Sequence, residues 1–193
     1  MKKIILASAS PRRKELLEQI GLAFDIIPSD IDEEIEARTS PEQYACTLSR
    51  SKAIDVAGHL AKGALVIGAD TIVILGDSIL GKPESRDDAF LMLKSLQGNW
   101  HEVITGITVV DTTDNKVVSD CEKTRVKMRQ LSDDMIHAYI KTGEPMDKAG
   151  AYGIQKFGSL LVERIEGCYY NVVGLSLVRL GLIFEEFGFK LLK

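Results

Sequence analysis

Ala64-Leu65-Val66-Ile67-Gly68-Ala69-Asp70-Thr71-Ile72-Val73-Ile74-Leu75 is an almost unbroken apolar run, bounded by Gly63 before it and Gly76-Asp77 after it. A run of this length and β-branched content, closed by turn residues on both sides, reads as a strand buried on both faces. Such a strand belongs at the centre of an α/β sheet with helices packed over it. Gly68, Asp70 and Thr71 interrupt the pattern, and each interruption carries information. A glycine inside a strand marks a place where another group comes close to the backbone. A carboxylate among Val66, Ile67, Ile72 and Val73 costs several kcal/mol to bury in its charged form. Asp70 is therefore protonated, or it faces a cleft that supplies a cation, or it is a hydrogen-bonded structural residue. Without a cation, Asn at this position would keep the shape and relieve the cost.

Outward from this strand the chain alternates between the two periodicities. Residues 2–7 form a short apolar strand that turns at Ser8-Ala9-Ser10 into a helix opened by Pro11 and stopped by Gly21. Leu16, Leu17 and Ile20 share one face of that helix. A strand over 23–27 and a polar, acidic stretch over 29–40 follow, then a helix over 41–62. Beyond Leu75 the chain turns at Gly76-Asp77 towards Gly81-Lys82-Pro83. A helix over 86–97 precedes two long strands, 101–112 and 116–128, joined as a hairpin by Thr113-Asp114-Asn115. A helix over 132–142, a glycine-dotted segment over 145–159, a short strand near 160–165 and a helix over 175–187 complete the chain. The expectation is an α/β fold: a mixed twisted sheet with flanking helices.

The 193 residues suit one domain, 1–193, or two lobes sharing a cleft. The 45% hydrophobic and 27% charged content is that of a globular protein. A net charge of -4 argues against a surface built to coat a polyanion, so no nucleic-acid partner is expected. Cys46, Cys121 and Cys168 are widely spaced without a CxxC pair, which indicates neither a disulfide framework nor a structural zinc site. The opening apolar run stops at Ser8, and no later run approaches the ~20 residues of a membrane span. The expectation is a cytoplasmic protein with no membrane partner.

Chemistry gathers at few places. Ser8-Ala9-Ser10-Pro11-Arg12-Arg13 stands where a strand hands over to a helix, and the exposed amides of a helix start attract anions. Arginines in a first turn are disfavoured by roughly 0.3–1 kcal/mol each, a cost that an anionic ligand would offset. The acidic run 30–36 reads as a solvated face, although one member could join Asp70 in holding a hard cation. Lys52 and Lys82 are surface lysines by default, and Lys82 gains weight from its tight turn beside the Asp70 strand. Arginines, lysines and carboxylates around a helix start suit phosphoryl chemistry. His59, His101 and His137 lack metal-ligand spacing and read as structural.

Taken in order, these motifs resemble the Maf family of nucleotide pyrophosphatases. The likeness rests on Ser-Ala-Ser-Pro-Arg-Arg (8–13), Gly-Ala-Asp-Thr (68–71), Gly-Lys-Pro (81–83) with Asp88-Ala89, and Leu-Gln-Gly-Asn-Trp-His-Glu-Val-Ile-Thr-Gly (96–106). Asp-Lys-Ala-Gly-Ala-Tyr-Gly-Ile-Gln (147–155) and the stretch from Gly167 to Leu175 extend it over nearly the whole chain. The resemblance implies a two-lobed fold around a cleft, similar to the inosine triphosphate pyrophosphatases. It implies metal-dependent hydrolysis of a nucleoside triphosphate to the monophosphate and pyrophosphate, with Mg²⁺ or Mn²⁺ as cofactor and a homodimer as a common state. Asp70 matches the family's proton acceptor, and Glu33, with Asp70, its metal site. Ser8, Arg13, Lys52 and Lys82 match phosphate-binding positions. Arg12, Thr71 and Gln155 match base-selecting positions of the branch acting on dTTP and UTP. Alternatives are the same chemistry on a purine nucleotide or 7-methyl-GTP, and a low-turnover nucleotide-binding regulator of cell division. Three positions depart from the family pattern: Trp100 and Lys156 replace small residues, and Ser176 replaces a proline.

Overall fold

The apolar run is a strand over its whole length: β3 spans Ala64–Leu75. A computed structural model describes residues 2–31 and 40–192. The other strands are β1 (Lys3–Leu6), β2 (Asp25–Ile26), β4 (Ser78–Leu80), β5 (Trp100–Asp111), β6 (Val117–Met128) and β7 (Val162–Glu166). The helices are α1 (Pro11–Gln19), α2 (Pro41–Gly58), α3 (Arg86–Leu96), α4 (Asp133–Lys141), α5 (Tyr169–Val173) and α6 (Leu177–Glu185). The strands hydrogen-bond in the order β2-β1-β3-β5-β6-β7, with β4 beside β3. β1 runs parallel to both neighbours, setting Leu6 against Ile26 and Ile67, whereas β4 and β7 are antiparallel to β3 and β6. This is the mixed α/β sheet expected from the alternation. Among the described residues, no helix is long and apolar enough to cross a membrane.

Helix boundaries follow their caps. Pro11 opens α1 at its first position. Ser40 and Gln43 form a reciprocal capping box at the start of α2, also with proline at the first position. Ser85, Ser132 and Ser176 each accept a backbone N–H with their side chains, starting α3, α4 and α6. Ser176 thus does its work as a cap. Several expectations need correction. β2 covers two residues only, α2 stops at Gly58, and β4 and α5 occupy stretches read as turn and loop. Ile20 lies beyond the end of α1 and is 37% exposed, so Leu16 and Leu17 alone form the buried face with Arg13.

The chain divides into two compact units. The first comprises Met1–Asp70, Thr105–Glu122 and Gly174–Lys193, and the second Thr71–Ile104 and Lys123–Val173. In the first, Ala53 and Val56 of α2 pack with Ile5, Ala7, Ala64, Val66 and Val110. The residues of this core are small because the backbones are close. A Cβ on Gly68 would stand 2.1 Å from the carbonyl oxygen of Ser49 and 2.8 Å from the Ala53 methyl. On β5, Gly106 meets Ala45 in the same way, at 2.2 Å. A hydroxyl chain, Ser49 to Thr108 to Ser119 at 2.8 Å each, adds the polar part of the contact. In the second unit α3 packs on α4, burying Leu93, Leu96, Ile136 and Ile140, with Phe90 stacked on His137.

His101 is the buried histidine of the second unit, 3% exposed, its Nε2 lying 2.6 Å from the Tyr152 hydroxyl. Burial pushes its imidazole from 6.5 down to about 4, so it is neutral at neutral pH.

Two measurements check this packing. Gly68→Ala forces α2 off β3 and is expected to cost at least the ~1–3 kcal/mol of an overpacked core. Gly58→Ala, at a helix end with nothing within 4 Å of the new methyl, is expected to be neutral or slightly stabilising. Equal urea midpoints for the two variants would contradict the close approach. For His101, the unfolded chain takes up a proton near pH 6.5 that the folded chain resists until about pH 4. Stability is therefore full above pH 6.5 and falls through that window, by up to about 3 kcal/mol. Urea titrations from pH 7.5 to 4 are expected to show a shallower fall for His101→Gln than for the unchanged protein.

Candidate active site

The contact that needs Gly68 also sets the chemistry. Gly68 and Asp70 point to the same face of β3, because alternate residues of a strand share a face. Helix α2 covers that face with the turn from Ser49 to Ala53, and Lys52 belongs to that turn. Its ammonium lies 2.5 Å from Oδ1 of Asp70. Both residues are buried, at 9% and 8% exposure. Asp70 thus has a cation beside it, and the cation comes from α2. Lys52 is correspondingly not a surface lysine. Removing the carboxylate would take the opposite charge away from a buried ammonium, whereas the relief expected from the sequence applied to a carboxylate without a cation.

The turn after β1 brings a second group of residues. Ala7 donates its N–H to the carbonyl of Ile67, and the parallel register of β1 and β3 carries Ser8 towards the level of Asp70. The Ser8 hydroxyl accepts the Ser10 N–H at 3.2 Å and an Arg13 Nη1 hydrogen at 3.1 Å. Arg13 also donates from Nε to the carbonyl of Gly174 at 2.9 Å. It is a buried strut, 9% exposed, rather than a solvated start-of-helix residue. Arg12 beside it is half-buried. Helix α1 starts without a side-chain cap and without an acidic residue in its first turn. Positive charge and helix amides thus collect at the C-terminal end of β1, where open α/β sheets place ligands.

Thr71, Lys82 and Gln155 belong to the second unit. Thr71 is half-buried on β3, directly after Asp70, and Lys82 is exposed beside the buried Pro83. The Gly81 carbonyl accepts the N–H of Gly150 at 3.0 Å, tying the Lys82 turn to the segment that leads to Gln155. That segment is irregular: three 3-10 turns, Glu144–Asp147, Ala149–Ala151 and Lys156–Leu160, with Gln155 half-buried just before the last. Ala151 and Lys156 have φ of 57° and 50°, a left-handed conformation costing a non-glycine residue about 1–2 kcal/mol. The departure at Lys156 is thus a side chain placed where the backbone asks for glycine. Trp100, another departure, lies under Arg125, whose guanidinium carbon is 4.7 Å from the ring centre.

Glu33 lies outside the described residues. For a divalent cation, the donor set that remains fits in kind: Mg²⁺ takes one or two carboxylates and fills its other positions with water and substrate phosphate. Asp70 offers such a carboxylate, with Lys52 engaging its Oδ1. Among the described residues, no three or more His, Cys, Asp and Glu side chains gather as an all-protein cage. Gly106 and Tyr152 stand inside quoted motifs and Tyr139 outside them, and the sequence assigned none of the three a role. Gly106 carried the same signal as Gly68, a glycine inside a strand. Nothing local marks the two tyrosines, whose partners are distant in sequence.

Comparison with known proteins gives one consistent answer. The family model described as Maf-like protein matches residues 3–187. The chain is 55% identical to the dTTP/UTP pyrophosphatase of Acetivibrio thermocellus, over 100% of this chain and 99% of that protein. It is 53% identical to the protein of the same name from Thermoanaerobacter sp. strain X514, over 98% and 100%. For that of Caldicellulosiruptor saccharolyticus, the figures are 50% identity over 100% and 98%. Among solved structures, the Staphylococcus aureus Ham1 protein aligns at a TM-score of 0.47 and 18% identity, covering 83% of this chain and 80% of that one. On the full-length match to the family model and to relatives at half identity or more, the chain belongs to the Maf family.

Proposed function

We propose that the protein hydrolyses dTTP and UTP to the nucleoside monophosphate and pyrophosphate, by attack of water on the α-phosphorus. The observation that carries this reading is the buried Lys52–Asp70 pair, set beside the cationic start of α1. Asp70 accepts the proton of the attacking water, and the ammonium of Lys52 compensates its charge and turns towards phosphate oxygens. Ser8, Arg13 and Lys82 hold further oxygens of the triphosphate chain. Such a site works mainly by positioning and by stabilising the charge of the transition state. A divalent cation, Mg²⁺ or Mn²⁺, bound by Asp70 and Glu33 would supply neutralisation of the triphosphate.

Arg12, Thr71 and Gln155 read the base. Uracil and thymine share an O2 acceptor, an N3–H donor and an O4 acceptor, whereas cytosine exchanges the last two roles. Arg12 only donates, the Gln155 amide both donates and accepts, and the Thr71 hydroxyl adapts. Cytosine would leave buried groups unpaired, a mismatch that discriminates by up to ~10⁴–10⁵-fold, while the thymine methyl is worth about 1–3 kcal/mol.

A panel of triphosphates with Mg²⁺ or Mn²⁺, scored separately for pyrophosphate and orthophosphate, tests the reading. Pyrophosphate from dTTP and UTP with little turnover of CTP is expected. Primary release of orthophosphate, or equal turnover of CTP and UTP, would contradict it. Asp70→Asn is expected to lose ~10²–10⁴-fold in kcat. It is also expected to lose stability, because the buried Lys52 ammonium loses the opposite charge of Asp70. Adding Lys52→Met to that variant is expected to recover stability and no turnover. Near-normal activity of Asp70→Asn at saturating metal would remove Asp70 as the base.

A further inference from the structure

The segment that carries Gln155 has an unusual construction. Its backbone is left-handed at Gly150, Ala151 and Lys156, and from Glu144 to Leu160 it forms only 3-10 turns, no strand or α-helix. Strained backbone persists only where its surroundings over-determine it. Here the surroundings include two aromatic hydroxyls. Tyr139, from α4, accepts the N–H of Gly153 at 3.2 Å. Tyr152 meets Nε2 of His101 at 2.6 Å, with the two rings edge to face at 89°. Gly158 then closes the bend, since a Cβ there would stand 1.8 Å from the Gly153 carbonyl and 3.0 Å from the Tyr139 hydroxyl. Gln155 sits between these fastened points, two residues after Gly153 and three before Gly158.

These fastenings are not ordinary core packing. Tyr139, Tyr152 and His101 are all buried, at 4%, 5% and 3% exposure. Burial holds all three neutral: it pushes the Tyr139 phenol up to about 12, the Tyr152 phenol higher still and the His101 imidazole down to about 4. His101 Nδ1 has no hydrogen-bond partner among the described residues. A leucine and a phenylalanine would fill the same volume without leaving a buried nitrogen unpaired. Among the described residues, the hydrogen bond that the His101 ring makes is the one to Tyr152. Hydrogen bonds direct as well as attract, so the two hydroxyls fix the bend in orientation, which apolar packing alone does not.

We infer that Tyr139 and the His101–Tyr152 pair are positioning residues for base selection, holding the Gln155 segment in the strained shape that presents the amide to uracil and thymine. This rests on the proposed role of Gln155. The hydroxyls do not touch the nucleotide; they act through the shape of residues 150–158. Losing either one lets the segment relax towards ordinary backbone angles and blurs the distinction between N3–H and a bare N3.

The test is a double-mutant cycle read as the ratio of kcat/KM for UTP to that for CTP, with Tm recorded for every variant. Gln155→Ala, Tyr152→Phe and Tyr139→Phe are measured singly, and each tyrosine variant is combined with Gln155→Ala. Each tyrosine variant alone is expected to lower the ratio about tenfold or more, through UTP rather than CTP. In the Gln155→Ala background the same substitutions are expected to change the ratio less than twofold, because their effect passes through the amide. If Gln155→Ala collapses the ratio while both tyrosine variants leave it within twofold, the positioning role is overturned and the base reading stands. Full additive losses in the double variants also overturn it, since a general loss of structure would act on both backgrounds alike. If Gln155→Ala itself leaves the ratio unchanged, the base reading fails and the inference falls with it. Tyr139→Phe decides the matter alone should Tyr152→Phe not fold.

Discussion

Helix α2 approaches β3 so closely at Gly68 that no side chain fits between them, and most of what is chemical in the first unit depends on that approach. Backbone-to-backbone contact fixes the height and rotation of the helix more tightly than interdigitating side chains do. With Ser49 and Ala53 set against Gly68, the intervening Lys52 has no choice but to meet Asp70, two residues along the same face. Gly106 repeats the arrangement on β5 one helical turn or so earlier, at Ala45. Two glycines on neighbouring strands thus dock one helix at two points. A buried ion pair is weak evidence for stability, because the desolvation of both ions offsets much of their attraction. Its retention here fits a site that needs a compensated carboxylate among apolar strands.

The second unit solves a different problem with different means. Its proposed base-reading segment is held by two tyrosine hydroxyls, a neutral imidazole, the Glu144 carboxylate, which accepts the Phe157 N–H at 3.4 Å, and a backbone bond from Gly150 to Gly81. Directed hydrogen bonds suit a place where a base edge is to be read, because they distinguish a donor from an acceptor. Charge is concentrated instead around Ser8, Arg13 and Lys52, where the proposed substrate carries its phosphates. The two halves of a nucleotide, one highly charged and one a pattern of donors and acceptors, thus correspond to two kinds of chemistry in the chain.

Much of this was legible in the residues themselves, for physical reasons. β3 could be read because a double-faced buried strand has an unmistakable composition, and Pro11 marks the start of α1 locally. Asp70 announced itself as a charge in an apolar run. Its partner did not, because a lysine in a helix says nothing about which strand the helix covers; only the Gly68 contact decides that. The left-handed backbone at Lys156 could not be read from the lysine itself; its one trace was the departure from the family pattern at that position. β4 and α5 were missed because three and five residues are too few to display a period. Tyr139 and Tyr152 look like any core aromatics until His101 and Gly153 are placed beside them.

The central claim is that water, deprotonated by Asp70, attacks the α-phosphorus. Product identity alone does not isolate that atom, because attack on the β-phosphorus with cleavage of the same bridge also yields a monophosphate and pyrophosphate. Hydrolysis of UTP in ¹⁸O-labelled water, followed by mass spectrometry of both products, separates the two. The account predicts one labelled oxygen in the monophosphate and none in the pyrophosphate. Label in the pyrophosphate would place the attack on the β-phosphorus and contradict it.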